Sequence, residues 1–323
     1  MAEYRLPGRP RDIPLGEKAG KNMKRATAPI LAYAALALSM ILVGANVPLA
    51  KYLTAHLPPA WVGLMRCGAS VVALAPLRLA RPNALAWPAL RRLLGLVGLG
   101  LCGVFFYPVF LLLGLKTTGA LAAGAITATL PAIVAVLSII ILRERAGPRL
   151  IAGVAVAVAA LLLLNMSSVS RSSANDLVGN ILVLLAVIGE AGYVILARRL
   201  AADGATPVGM ALGANAAGLA AFGALALASG GLSPPAAPAA AWWGSAWFGI
   251  TSSVLALILW FWGIARVKAA RAGIFSVFLP LTAGAIAILF LGEHANTLTL
   301  VGLLAVLIAI ALIAEPEEPL PLS

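Results

Sequence analysis

Residues 114–164 of this chain return at 263–313. An ungapped offset of 149 places Gly114 on Gly263, Gly124 on Gly273, Pro131 on Pro280, Glu144 on Glu293 and Gly153 on Gly302. Thr127 falls on Ser276, four residues before the proline in both copies. The positions between these anchors are mostly apolar and interchangeable, so the glycines, prolines and glutamates carry the match. Each copy holds two long apolar segments, so the chain has to be read as one supersecondary plan used twice.

The apolar segments decide the solvent. Mean hydropathy is +1.02 and only 11% of residues are charged, too few to cover a soluble domain. A span takes about 20 apolar residues. The expectation is an all-α integral membrane protein with ten helices near 28–50, 60–77, 92–113, 119–142, 148–167, 177–197, 206–229, 240–264, 270–291 and 296–314. Domain limits follow: a basic tail over 1–27, a first repeat over 28–167, a second over 177–314 and an acidic tail over 315–323. The net charge of +12 does not point to nucleic acid, because the cations flank apolar segments and form no soluble face. Cys67 and Cys102 lie inside apolar segments and imply no disulfide.

With the N-terminus inside, 19 of the 23 Lys and Arg residues collect on the inner side, leaving Lys51, Lys116 and Arg171 outside and Arg66 within a helix. This is the positive-inside asymmetry, and it sets both termini in the cytoplasm. Five helices per half is an odd number, so the second half enters the membrane upside down. The loops agree: Lys116 stands alone before helix four, whereas Arg266, Lys268 and Arg271 precede helix nine. Inverted repeats with a site between them are the architecture of secondary transporters.

The segment GANVPLAKYL at 44–53, Arg66 in the second helix, and the two blocks running from LP at 130–131 to LRERAGP and from LP at 279–280 to LGEHANT resemble the EamA family of the drug/metabolite transporter superfamily. The resemblance runs from about Leu31 to Ala314 as two EamA-type repeats. Val43 stands where the family often has tryptophan, and the second block reads Gly-Glu-His in place of Gly-Glu-Arg. The resemblance implies ten helices, inverted halves and movement of a small metabolite such as an amino acid. Small multidrug relatives carry a first-helix carboxylate that binds protons and substrate, and Glu190 stands at a similar place in the second half.

Ionisable residues inside spans are rare and costly, so Glu190 and Arg66 are the leading functional candidates. Glu190 is read as a proton or substrate carboxylate, against a structural pairing with a neighbouring helix or Arg66. Arg66 is read as a carboxylate clamp, against an arginine that snorkels to the interface. Asn46, Tyr107, Tyr193, Asn215 and Trp260 complete the substrate-binding candidates, against packing or belt roles for the aromatics. AGYVILARRL at 191–200 resembles GANVPLAKYL, which pairs Asn46 with Tyr193. Thr127 and Ser276 are expected to bond backbone at helices broken mid-way by Pro131 and Pro280. Glu144 and Glu293 are expected to cap the helix that follows each. Gly209 and Gly213 form a GxxxG step, and Gly95, Gly98 and Gly103 cluster, which allows close contact within a monomer or in a homodimer.

The reading is a secondary transporter of the cell inner (plasma) membrane. It works with a small-molecule substrate, in the lipid bilayer, with protons as a candidate coupling ion and no cofactor or metal. A lipid flippase and an intramembrane structural protein or enzyme are the rivals. The chain has no H-E-x-x-H, no paired intramembrane aspartates and no phosphate-binding loop, and His56 and His294 fall in outer loops.

Overall fold

The computed structural model describes residues 15–80, 89–118, 123, 126–145, 147–167, 177–291 and 297–313. Among these residues the regular structure is helical, without a strand. The helices are α1 Leu15–Ala45, α2 Val47–His56, α3 Pro59–Leu79, α4 Leu90–Leu99 and α5 Tyr107–Gly114. They continue with α6 Leu130–Leu142, α7 Pro148–Ser167, α8 Leu177–Ala202, α9 Pro207–Ala228 and α10 Ala239–Phe248. The last four are α11 Ala256–Ile264, α12 Ala269–Ile274, α13 Phe278–Leu291 and α14 Thr297–Ile313.

Among the described residues six runs are long and apolar enough to cross a membrane: Ile30–His56, Pro59–Leu79, Leu90–Gly114, Leu177–Ala202, Pro207–Ala228 and Ala239–Ile264. Leu130–Leu142 and Pro148–Ala160 are shorter apolar helices. Leu, Val and Ile stand exposed along many of them, including Val72, Ile140, Leu177 and Leu289. Lipid is the solvent that such surfaces suit.

Four local features differ from the sequence expectation. Helix α1 begins at Leu15, inside the segment read as a basic tail ahead of the first helix. Its Lys, Glu, Ala and Met residues propagate helix well once the apolar part nucleates it. The first span bends at Asn46, ahead of Pro48. The Asn46 amide N–H bonds to the Val43 carbonyl at 3.1 Å. That shift abandons the Leu42 carbonyl, which the Asn46 side-chain amide then takes at 2.8 Å. Pro131 is not mid-helix. It stands in the first turn of α6, after a turn at Ala128-Thr129. Pro280 likewise lies in the first turn of α13, after a 3₁₀ turn over Phe275–Val277. First-turn amides have no helical acceptor, so neither proline costs a backbone bond there.

A π-helical stretch recurs as well. Gly100–Phe106 joins α4 to α5, and Gly249–Leu255 joins α10 to α11, at the same offset of 149. Such wide turns are rare and concentrate at functional sites. Each starts at a glycine pressed against backbone. A Cβ on Gly100 would lie 2.4 Å from the Ala214 carbonyl oxygen, and one on Gly249 would lie 2.6 Å from that of Arg66.

The strongest packing joins the two halves. α1 packs on α11 and α13, while α8 packs on α5 and α6. α3 packs on α9, α7 on α14, and α6 on α12. Exchange the halves and every pair except α6 with α12 maps onto itself or onto another of the set; the equivalent of α12 falls at 120–125, mostly outside the described residues. Gly95 meets Leu200, Gly103 meets Tyr193 and Gly213 meets Leu96, so these small residues serve contacts inside one chain.

Candidate functional site

A cavity of about 450 Å³ opens between the halves. From the first half it takes Ser39, Met40 and Val43 of α1, Arg66 of α3, and the end of the first π stretch with Tyr107. From the second it takes Glu190 and Tyr193 of α8, Ser252 and Ser253 of the second π stretch, Trp260 of α11 and Ser276. Arg66, Tyr107, Glu190, Tyr193 and Trp260 thus all belong to the cavity wall.

The π stretches shape that wall. Arg66 donates from Nη2 to the Val104 carbonyl at 3.0 Å, and its guanidinium lies 5.6 Å from the Phe248 ring centroid. These two contacts hold the charge at the cavity, and among the described residues it has no acidic partner. In the second half, Asn215 of α9 donates to the Ser253 carbonyl at 3.0 Å and to the Ala211 carbonyl at 2.8 Å. Val104 and Ser253 stand 149 residues apart. Each wide turn is therefore braced by a side chain from the second long helix of its own half.

Three polar side-chain atoms of residues that line the cavity are buried with no protein partner among the described residues: Tyr193 Oη, Ser252 Oγ and Trp260 Nε1. Buried polar groups are nearly always satisfied, so unpaired atoms on residues that line a cavity are candidates to meet a polar solute or water. Tyr193 is held by its neighbours: its ring lies over Gly103, where a Cβ would approach to 2.4 Å, and against Phe261 with centroids 5.8 Å apart.

The remaining candidates divide. Asn46 and Asn215 are not on the cavity wall; both are buried and bonded to helix carbonyls. Thr127 and Ser276 line the cavity, and Ser276 also donates to the Gly273 carbonyl at 2.8 Å. Glu144 does not cap the helix that follows it. Its Oε1 accepts from the Ala269 amide at 3.1 Å, at the start of α12 in the other half, and lies 3.8 Å from Arg198 Nε. Burial pushes its carboxyl up, while the Ala269 amide and Arg198 pull it down. The reach is explained by Arg143, whose left-handed backbone (φ 55°) turns the chain away from α6. Glu293 and His294 lie outside the described residues.

Sequence reading missed Ser39, Ser252, Ser253 and Phe248. A signal was present: Thr251-Ser252-Ser253 is a run of three hydroxyls inside an apolar span. No His, Cys, Asp or Glu cluster among the described residues has the makings of a metal site.

The EamA-like transporter family matches this chain twice, over residues 30–166 and 177–314. A relative from Bacillus subtilis (strain 168), the uncharacterized transporter YetK, is 27% identical over 303 residues, covering 92% of this chain and 90% of its own. One solved crystal structure superimposes with a TM-score of 0.74 at 18% identity, over 90% of this chain and 97% of that one. At that identity the likeness speaks to the fold alone.

Proposed function

The chain belongs to the EamA-like transporter family, and from that membership we propose that it exports a small polar organic solute, such as an amino acid, by alternating access between two inverted five-helix halves. A multi-pass membrane transporter is the class that the family and the relative support.

The observation that carries the finer reading is the charge arrangement of the cavity. The first half supplies a cation, Arg66, and the second supplies a carboxylate, Glu190, to one cavity, whose lining residues also carry three buried polar atoms unpartnered among the described residues. A zwitterion has the matching pair of charges: its carboxylate meets Arg66 and its ammonium meets Glu190. Tyr107, Tyr193 and Trp260 add apolar faces with polar tips, which suits an organic solute. Glu190 doubles as a proton carrier, since a carboxylate inside a span can exchange a proton for substrate.

The ten-crossing plan rests on pairing each shorter apolar helix with its equivalent. α6 and α7 then complete the first half, and α12–α13 and α14 the second. The exchange-symmetric packing supports that plan. The basic flanks support cytoplasmic ends in an inner membrane.

Uptake of labelled amino acids into proteoliposomes under an imposed pH gradient tests the proposal. Transport by the wild type that depends on the gradient, with Glu190→Gln indifferent to it, is the expected result. Unchanged gradient dependence in Glu190→Gln removes that residue from the mechanism.

A further inference from the structure

The central cavity stops short of one end of the helix bundle. That end is basic, with Arg198 and Arg199 closing α8 and Arg266 following α11. On α8 the lining ends at Tyr193, on α11 it ends at Trp260, and ahead of α13 it starts at Ser276. Between these residues and the basic helix ends stand Ala197, Phe261, Ile264 and Ile274, all fully buried. At the opposite end the lining reaches exposed Leu115, next to Gly114, which packs on Gly179 at the start of α8. A thin apolar plug therefore separates the cavity from the basic end.

Beyond the plug, one carboxylate ties the halves together. Glu144, from the first half, accepts from the Ala269 amide at 3.1 Å and stands 3.8 Å from Arg198 Nε. Arg198 Nη1 donates in turn to the Ala265 carbonyl at 3.3 Å. This contact is poor glue. The two side chains are 12% and 14% exposed, so both have given up most of their water. At 3.8 Å they are beyond hydrogen-bond range, and Glu144 Oε2 is buried with no partner among the described residues. A buried pair met so loosely recovers little of its desolvation cost. Parting the halves here returns both ions to water, which keeps the closed and parted arrangements close in free energy. An apolar contact in the same place would expose apolar surface on opening and resist it.

We propose that Glu144 and Arg198 are gating residues of the transport cycle: their contact shuts the cavity at the basic end, and it parts when the cavity opens there. That role rests on the alternating-access reading and is independent of which solute is carried.

A single cysteine on the cavity wall reports the opening. The full chain carrying Cys67→Ala, Cys102→Ala and Ser276→Cys is treated with a membrane-impermeant maleimide in vesicles of both orientations. Arg199→Cys, at an exposed position, identifies the vesicles whose basic face meets the reagent. From that face, Glu144→Ala and Arg198→Leu should each speed labelling at position 276 about fivefold, the population shift that loss of one contact the size of a helix cap produces. Glu144→Gln covers the case in which Glu144→Ala does not fold. Arg198→Lys keeps the charge and should stay near the parent rate. Asn215→Ala loosens bonds made within the second half alone and should not speed labelling, which separates gating from general loss of stability. Labelling of the parent that neither Glu144 nor Arg198 substitution speeds, or equal speeding by Asn215→Ala, overturns the gating role and leaves alternating access standing. No labelling from the basic face in any variant overturns both.

Discussion

The two π stretches occupy equivalent places and are braced in the same way, yet their braces differ in kind. Val104 is met by a guanidinium that reaches the cavity, and Ser253 by an amide that is fully buried. The backbone task is common to both halves. Only in the first half does the bracing side chain also present a charge. The opening helices show the reverse asymmetry. Gly114 packs on Gly179 and Val183, while Gly263 packs on Ala32 and Leu36, so α8 and α1 correspond at an offset of 147. At that offset Glu190 matches Val43, and both line the cavity. A symmetric frame thus receives its cation from one half and its carboxylate from the other. Duplication preserves the packing and leaves the cavity-facing atoms free to diverge.

The largest expected effect comes from removing one charge. Arg66→Ala should reduce uptake by about thirtyfold or more, the usual cost of leaving one member of a buried charge pair unmatched. Arg66→Asn is the sharper probe, since an amide can brace Val104 as Asn215 braces Ser253. Its stability should stay near wild type while its transport falls. Equal loss of stability and uptake in Arg66→Asn would show that the charge serves the fold.

Next come the glycines under the wide turns. Gly100→Leu and Gly249→Leu should each cost about 1–3 kcal/mol by overpacking, because the obstructing atoms are backbone carbonyls that cannot rotate aside. The two costs should be similar if packing is what the halves share. Thermal midpoints in detergent measure both, and a large difference between them breaks the comparison.

Below these, Asn215→Ala should destabilise by about 1–2 kcal/mol through two lost hydrogen bonds, with substrate affinity kept. A drop in affinity matching that of Arg66→Ala would return Asn215 to the cavity.

Much of this plan is legible in the chain because membrane helices advertise themselves by length and hydropathy, and because Gly, Pro and Glu anchors survive duplication. The offset of 149 read from residues 114–164 is the one that relates the π stretches. The offset of 147 read from GANVPLAKYL is the one that the glycine contacts give for the opening helices. Neither π stretch was legible, because hydropathy does not distinguish a π turn from an α turn. Pro131 misled because a proline inside an apolar run looks the same whether the helix bends there or starts there. Asn46 and Asn215 misled for a related reason. Polarity inside a span marks either a cavity or a helix carbonyl needing a donor, and here it marks the carbonyl. Glu144 was legible as a cap, but the amide it accepts from lies 125 residues away, beyond the reach of local pattern.

That last contact gives the smallest and most discriminating prediction. Glu144→Ala removes the acceptor for the Ala269 amide and the partner of Arg198, and should cost about 1 kcal/mol, the size of a lost helix cap. Glu144→Gln keeps a carbonyl oxygen for the amide and loses only the charge, so its cost should be smaller, within the range of a weak ion pair. Glu293 stands at the equivalent position in the sequence. If the halves share their packing in full, Glu293→Ala should cost as much as Glu144→Ala in the same thermal measurement. A cost at Glu144 with none at Glu293 would place the cross-half cap in one half only, and the symmetry would then hold for the helices and fail for the turns that join them.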